Sequence, residues 1–263
     1  MQSKPSILFC IFISLSCNDN AVYSNQSYYK IEKLPVYISS DLNPFKSINE
    51  IPLPAGFARL KETKGSFAEW LLNLPLKPNK TVYKFDGKAK SNQSAQFAVL
   101  DISVGDKDLQ QCADAVMRLR AEYLFAVKKF ESIHFTDNEG KGYQFKPPFT
   151  SGHLKQYLQG VFGMCGTASL TKQLKQISLS EMQSGDVMIR GGFPGHAAMV
   201  MDVVSNHLGE KAYLLAQSYM PAQDIHLLVN PADKGLSPWY LVSDATLIQT
   251  PEYTFRKGEL KRW

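Results

Sequence analysis

The stretch "SGDVMIRGGFPGHAAMVMDVV", Ser184–Val204, decides the fold. A Ser-Gly-Asp turn opens the short apolar run VMIR, and a second turn, GGFPG, separates it from HAAMVMDVV. Short apolar runs divided by glycine and proline form hairpins. "KAYLLAQSYM" and "DIHLLVN" repeat the texture downstream, so the C-terminal part is predicted to be an antiparallel meander. One residue does not fit an apolar strand: His196, placed directly after Gly195.

Working upstream, the period changes from two to 3.6. "DKDLQQCADAVMRLRAEYLFAVKKF" carries Leu109, Cys112, Ala113, Val116, Met117 and Leu124 at helical spacing. Asp108 is the expected N-cap, with Gln111 closing a capping box, and the helix is expected to run to about Phe130. "SGHLKQYLQGVFGM" and "GTASLTKQLKQI" predict two further helices. "GSFAEWLLNLPL" predicts a short one, with Ser66 and Glu69 as a capping box and Pro75 as its stop. "TVYKFDG" and "QFAVLDISVG" alternate and are expected to be strands. The order of elements predicts an α+β fold, N-terminal helices packed on a C-terminal antiparallel β-meander, in a single domain over residues 51–263.

The chain has 263 residues, 44% of them hydrophobic, enough for one large core. Its net charge of +5, from 29 basic and 24 acidic residues, is spread along the chain. It gives no concentrated basic face, so no nucleic acid partner is expected. The start, "MQSKPSILFCIFISLSCNDN", has an apolar run, Ile7 to Leu15, much shorter than the ~20 residues of a membrane span. It reads as a signal peptide over 1–16. Ser14, Ser16 and Cys17, followed by polar residues, resemble a relaxed lipobox, which implies an exported protein held at the cell envelope membrane by a lipid on Cys17. Residues 17–50 read as a polar tether.

Of four cysteines, Cys10 leaves with the signal and Cys17 is the lipidation candidate; Cys112 and Cys165 remain, as a disulfide or as one reactive thiol. CxxC and HExxH are absent, and GGFPGH lacks the Lys-Ser/Thr of a phosphate loop, so neither a metal nor another cofactor is expected. Glu122, Asp101 and Asp224 are spare carboxylates for glycoside chemistry, with nothing to set their separation. Thr167 and Ser169 read as helix caps, and Arg118, Arg120 and Glu122 as a solvated helix face.

Gly185-Asp186 before a strand, His196 opening the next, and Gln217 on the one after resemble the second half of the NlpC/P60 family of papain-like cysteine peptidases. The resemblance implies a papain-like core and a cysteine hydrolase or amidase, with His196 as base and Gln217 as its orienter. The nucleophile it implies lies near a helix N-terminus, where the helix dipole and an imidazolium lower a thiol pKa. Cys112 and Cys165 compete for that role, and the better-defined helix favours Cys112. The alternatives are structural: Cys112 as a small apolar residue on a buried face, and His196 as a core histidine. Over residues 55 to 260, "SFAEWLLNLPL", "KSNQSAQFAVLDISVGDKDLQQCADAVMRLRAEYLF", "GDVMIRGGFPGHAAMVMDVV" and "LLAQSYMPAQDIHLLVNP" resemble a bacterial exported family known as domain of unknown function 4846. That resemblance implies no activity. The expected ligand is an envelope peptide or glycan, either cleaved or, in the alternative reading, only bound.

Overall fold

The structure, a computed structural model, describes residues 41–263. The elements follow in chain order. β1 (Phe57–Arg59), α1 (Phe67–Leu72) and β2 (Gln96–Val99) precede α2 (Cys112–Ala126). The hairpin β3 (His134–Thr136) and β4 (Gly142–Gln144) comes next, then α3 (Ser151–Met164), α4 (Thr167–Gln173) and β5 (Lys175–Gln176). The meander is β6 (Val187–Arg190), β7 (His196–Asn206), β8 (Lys211–Gln217) and β9 (His226–Leu228). β10 (Tyr240–Leu241), β11 (Leu247–Gln249), β12 (Thr254–Arg256) and β13 (Leu260–Arg262) complete the chain.

Nine strands form one sheet in the order β2-β9-β8-β7-β6-β13-β5, with β1 on β7 and β10 on β8. Every pairing within it is antiparallel. The meander expected from the sequence is present, in sequence order from β6 to β9. The helices are not an N-terminal block: β1, β2, β3 and β4 are interleaved with them, and β2 crosses over to pair with β9.

β7 is apolar on both sides because both faces of the sheet are covered. Ala197, Met199 and Met201 join the cluster that holds Ala115, Val116 and Leu119 of α2. Ala198 and Val200 join a second cluster with Leu215, Leu228, Tyr240 and Phe255. Strict alternation fails at the register shift between Val200 and Asp202, after which Val204 returns to the first cluster and Val203 to the second. A bulge does this by inserting one residue into one strand of the pair.

Residues 41–50, expected to end the tether, are instead packed: Asn43 donates to the Lys77 carbonyl at 2.8 Å and Ile48 lies fully buried in the core. The segment around "TVYKFDG" makes only isolated bridges, Tyr83 with Ala89 and Lys84 with Gln223. Ser66 caps α1 as expected, accepting the Glu69 N–H at 3.1 Å, but the Glu69 carboxylate turns to the Gly65 N–H, and the helix ends at Leu72, before Pro75. The signal segment, Cys17 and residues 18–40 lie outside the described residues.

α2 starts later and ends earlier than its periodicity suggests. Gln111, not Asp108, is the N-cap, and its N–H donates to Asp114 at 2.9 Å; the last helical residue is Ala126. Asp108 has a different task. Its Oδ1 accepts from the Ala222 N–H at 2.6 Å and from the Gln111 side chain at 3.1 Å, tying the loop after β8 to the start of α2. Asp108→Ala is therefore expected to lower stability by about 1–2 kcal/mol, read as a shift in urea midpoint at unchanged slope. No change in midpoint would remove Asp108 from this role.

Candidate functional site

Cys112 is the first residue of α2, and His196 is the first residue of β7. Gln217 ends β8, the strand beside β7. His196 and Gln217 therefore meet at one end of the sheet, and Cys112 stands at the start of α2, the helix packed against β7. Alternation sends His196 to the face of Ala198 and Val200, where its ring packs 4.8 Å from Tyr253 and 5.7 Å from Phe255, centroid to centroid. Its Nε2 lies 2.7 Å from Gln217 Oε1. The backbone N–H groups of Ala197, Ala113 and Cys112 itself favour the Cys112 thiolate. The Tyr219 ring packs 5.0 Å from that of His196, and burial raises its phenol pKa.

Gly195 explains how the ring reaches this place. A Cβ there would run into Thr167 Oγ1 and the carbonyls of Gly192 and Arg190, so only glycine lets the turn close against α4 before His196.

The electrostatics correct one sequence expectation. Burial pushes the Cys112 thiol above its ordinary pKa, outweighing the three N–H groups that favour the thiolate. Burial likewise holds the His196 imidazole down at about 4, against the opposing pull of Gln217 and Glu252. No imidazolium is present at neutral pH to lower the thiol pKa, so the resting pair is thiol and neutral imidazole. Asp114, in the first turn of α2, is pushed up to about 8, again by burial.

Cys165 stands apart, at the C-terminal cap of α3; burial pushes its thiol up to about 11. Both cysteines are free and buried. The other candidates have structural partners. The Ser169 hydroxyl exchanges hydrogen bonds with Gly166 at the start of α4, and Thr167 reaches the Gly192 carbonyl. Asp224 pairs with Lys77 at 2.9 Å, and Arg118 with Glu122 at 2.7 Å. Arg120 is not on a solvated face; it packs over Phe67, Tyr123 and Trp263. A groove of about 370 Å³ between α2 and α3, lined by Leu109, Phe125, Leu158 and Phe162, includes none of Cys112, His196 and Gln217.

Sequence reasoning missed Glu252, Lys90 and Asn92. Glu252 accepts from Gln217 Nε2 at 2.8 Å, from Lys90 Nζ at 2.6 Å and from Asn92 Nδ2 at 3.1 Å. Lys90 also lies 3.5 Å from Nε2 of the buried His226. These residues come from two distant segments, one holding Lys90 and Asn92 and the other Glu252. Only the burial of polar side chains in the folded chain brings them out.

Fold and site define a mixed α/β protein whose large antiparallel sheet carries a buried histidine–glutamine pair at one end. The chain belongs to the family described as domain of unknown function (4846), whose profile matches residues 48–153 and 145–262. No curated protein matches it, and no solved structure does. Among the described residues no group of three or more His, Cys, Asp and Glu is placed to hold a metal ion, and no helix is long and apolar enough to cross a membrane.

Proposed function

We propose that the protein is a cysteine hydrolase or amidase with a papain-like, NlpC/P60-like arrangement, acting on a peptide or amide of the cell envelope. The observation that carries this reading is the 2.7 Å contact between His196 Nε2 and Gln217 Oε1 on adjacent strands, with Cys112 opening the helix that packs against β7. In this scheme the Cys112 side chain must first turn from the α2 side of β7 toward the His196 ring; its thiol proton then passes to Nδ1 as the sulfur attacks the substrate carbonyl carbon. The N–H groups at the start of α2 face the developing oxyanion. The tetrahedral intermediate then expels the amine, which takes the proton from His196, and leaves a thioester. Water, deprotonated by the same imidazole, releases the acid and restores the thiol. The neutral resting pair means that proton transfer accompanies attack; no preformed ion pair is required.

The test uses the two cysteines against each other. Iodoacetamide labelling at pH 7, followed by peptide mass spectrometry, is expected to be faster at Cys112 than at Cys165. His196→Ala is expected to slow the Cys112 reaction by about tenfold or more while leaving Cys165 unchanged. Equal Cys112 rates in the two proteins would sink the hydrolase reading.

One observation favours a second reading, a non-catalytic envelope protein that binds a peptide or glycan: Cys112 and His196 are only 8% and 2% exposed. Under it, labelling at Cys112 is slow and indifferent to position 196. We also propose export and lipid attachment at Cys17. The mature protein is then expected to begin at a diacylglyceryl-modified Cys17, and an intact Met1 in its mass spectrum would end that proposal.

A further inference from the structure

We infer that Glu252 is a positioning residue: by orienting the Gln217 amide, it fixes His196 as the Nε2–H tautomer and leaves Nδ1 with its lone pair free. The inference starts from what each group is able to do. Lys90 and Asn92 reach Glu252 with donors only, an ammonium at 2.6 Å and an amide NH₂ at 3.1 Å, and a carboxylate between them accepts. The third contact, 2.8 Å from Glu252 Oε2 to the Gln217 amide, must then be filled by the NH₂ end of Gln217. A flipped amide would set its carbonyl oxygen against the carboxylate. With the NH₂ committed to Glu252, the carbonyl end faces His196 Nε2 at 2.7 Å, and that nitrogen must carry the proton.

The same logic runs on past Lys90. His226 Nδ1 lies 2.8 Å from the Asp224 carbonyl, which only accepts, so Nδ1 is the donor. Its Nε2 faces the Lys90 ammonium at 3.5 Å and is the bare nitrogen. Donation therefore converges on Glu252 from two sides, from His196 through Gln217 on one and from Lys90 on the other, while Lys90 also donates to His226 and His226 to the Asp224 carbonyl. Gln217 and His226 are 1% and 0% exposed, so bulk water is not at hand to satisfy a reversed amide or ring. The titratable and charged groups around His196 are Glu252 and Lys90 through Gln217, His226 beyond them, Tyr253 from the segment before β12, and Tyr219 from the loop after β8. Among these, Gln217 makes the hydrogen bond to Nε2.

The lock explains why a glutamine suffices beside His196. An amide alone holds either tautomer equally well, because flipping exchanges its acceptor for its donor. The carboxylate behind it breaks that symmetry. The lock itself does not depend on hydrolysis; only its use, an Nδ1 ready to take the thiol proton, rests on the proposed function.

Nitrogen NMR of protein labelled with ¹⁵N-histidine tests it without any substrate. Long-range ¹H–¹⁵N correlations distinguish a protonated ring nitrogen from a bare one. In the unaltered protein at pH 7, His196 is expected to show protonated Nε2 and bare Nδ1, with the other tautomer at least about tenfold less populated. In Glu252→Leu, which removes the acceptor behind the Gln217 amide, the two tautomers are expected to approach equal population; Glu252→Gln would not serve, because Lys90 would hold its carbonyl oxygen where Glu252 Oε2 stands. A protonated Nδ1 in the unaltered protein would overturn the inference, and so would an unmoved tautomer ratio in Glu252→Leu. If that variant fails to fold, Gln217→Leu breaks the relay while keeping Glu252, and an unmoved ratio there is equally fatal. A correct tautomer with Cys112 labelling indifferent to His196 would leave the lock standing and remove the hydrolase.

Discussion

Replacing His226 with asparagine is expected to make the protein less sensitive to acid. His226 is fully buried, and burial, then the Lys90 ammonium, push its imidazole down to about 3. In the unfolded chain a histidine titrates near 6.5. Below that pH the unfolded state binds a proton that the folded state refuses, so stability is lost as pH falls from about 6.5 towards 3. The loss amounts to about 3 kcal/mol by pH 4. His196, held at about 4, adds a loss in the same direction. Asp114 has the opposite sign: with its folded pKa raised to about 8, its protonation favours the fold as pH falls. Both remain in the variant, so the difference between the two proteins isolates His226. The His226→Asn side chain keeps an N–H for the Asp224 carbonyl but lacks the ring, at a cost of about 2 kcal/mol at pH 7. The unaltered protein is therefore expected to be the more stable at pH 7 and the less stable near pH 4, by urea unfolding at each pH. A pH-independent difference would show that His226 takes up its proton in the fold.

The parts of the fold legible in the sequence are those with a local cause. The apolar runs after Ser184 are separated by glycine turns, and each is a strand of the meander. Ser66, three residues before Glu69, marks the start of α1. The chain order of helices and strands is readable, but not the crossover that brings β2 alongside β9, because nothing local in "QFAVLDISVG" names its distant partner. Asp108 shows how a local rule fails. Its type and position suit an N-cap, yet its carboxylate has a tertiary partner, the Ala222 N–H, and the helix starts further on, behind Gln111.

The site divides in the same way. His196 stands out as a histidine opening a largely apolar strand, and Gln217 as a polar strand end. Glu252, Lys90 and Asn92 sit among ordinary surface-like residues, and only folding surrounds them with one another. The thiol expectation is reversed for a physical reason. The dipole at the start of α2 is real, but Cys112 is buried deeply enough for desolvation to dominate.

Arg59→Ala is expected to cost about 3 kcal/mol, more than an ion pair at the surface would. Arg59, on β1, reaches Asp202 at 3.0 Å; the Asp202 side chain is 2% exposed and that of Arg59 24%. The same guanidinium donates to the Ile51 carbonyl at 2.9 Å and the Ile48 carbonyl at 3.3 Å, so it joins the segment at Ile48 and Ile51 to the bulge of β7. Burial raises the Asp202 pKa, and Arg59 is the cation that restrains the rise. Remove Arg59 and a carboxylate is left in the sheet with Glu62 as a nearby acid. Two consequences separate an abandoned charge from mere lost packing. First, adding Asp202→Asn to Arg59→Ala should recover about 1–2 kcal/mol, since a neutral amide is cheaper to bury than an unpaired carboxylate. Second, a carboxylate whose folded pKa is raised weakens the fold as pH rises above about 4, so the deficit of Arg59→Ala should narrow as pH falls. A double variant less stable than Arg59→Ala, together with a deficit that does not change with pH, would mean that the carbonyl contacts of Arg59 with Ile48 and Ile51 are what β1 contributes.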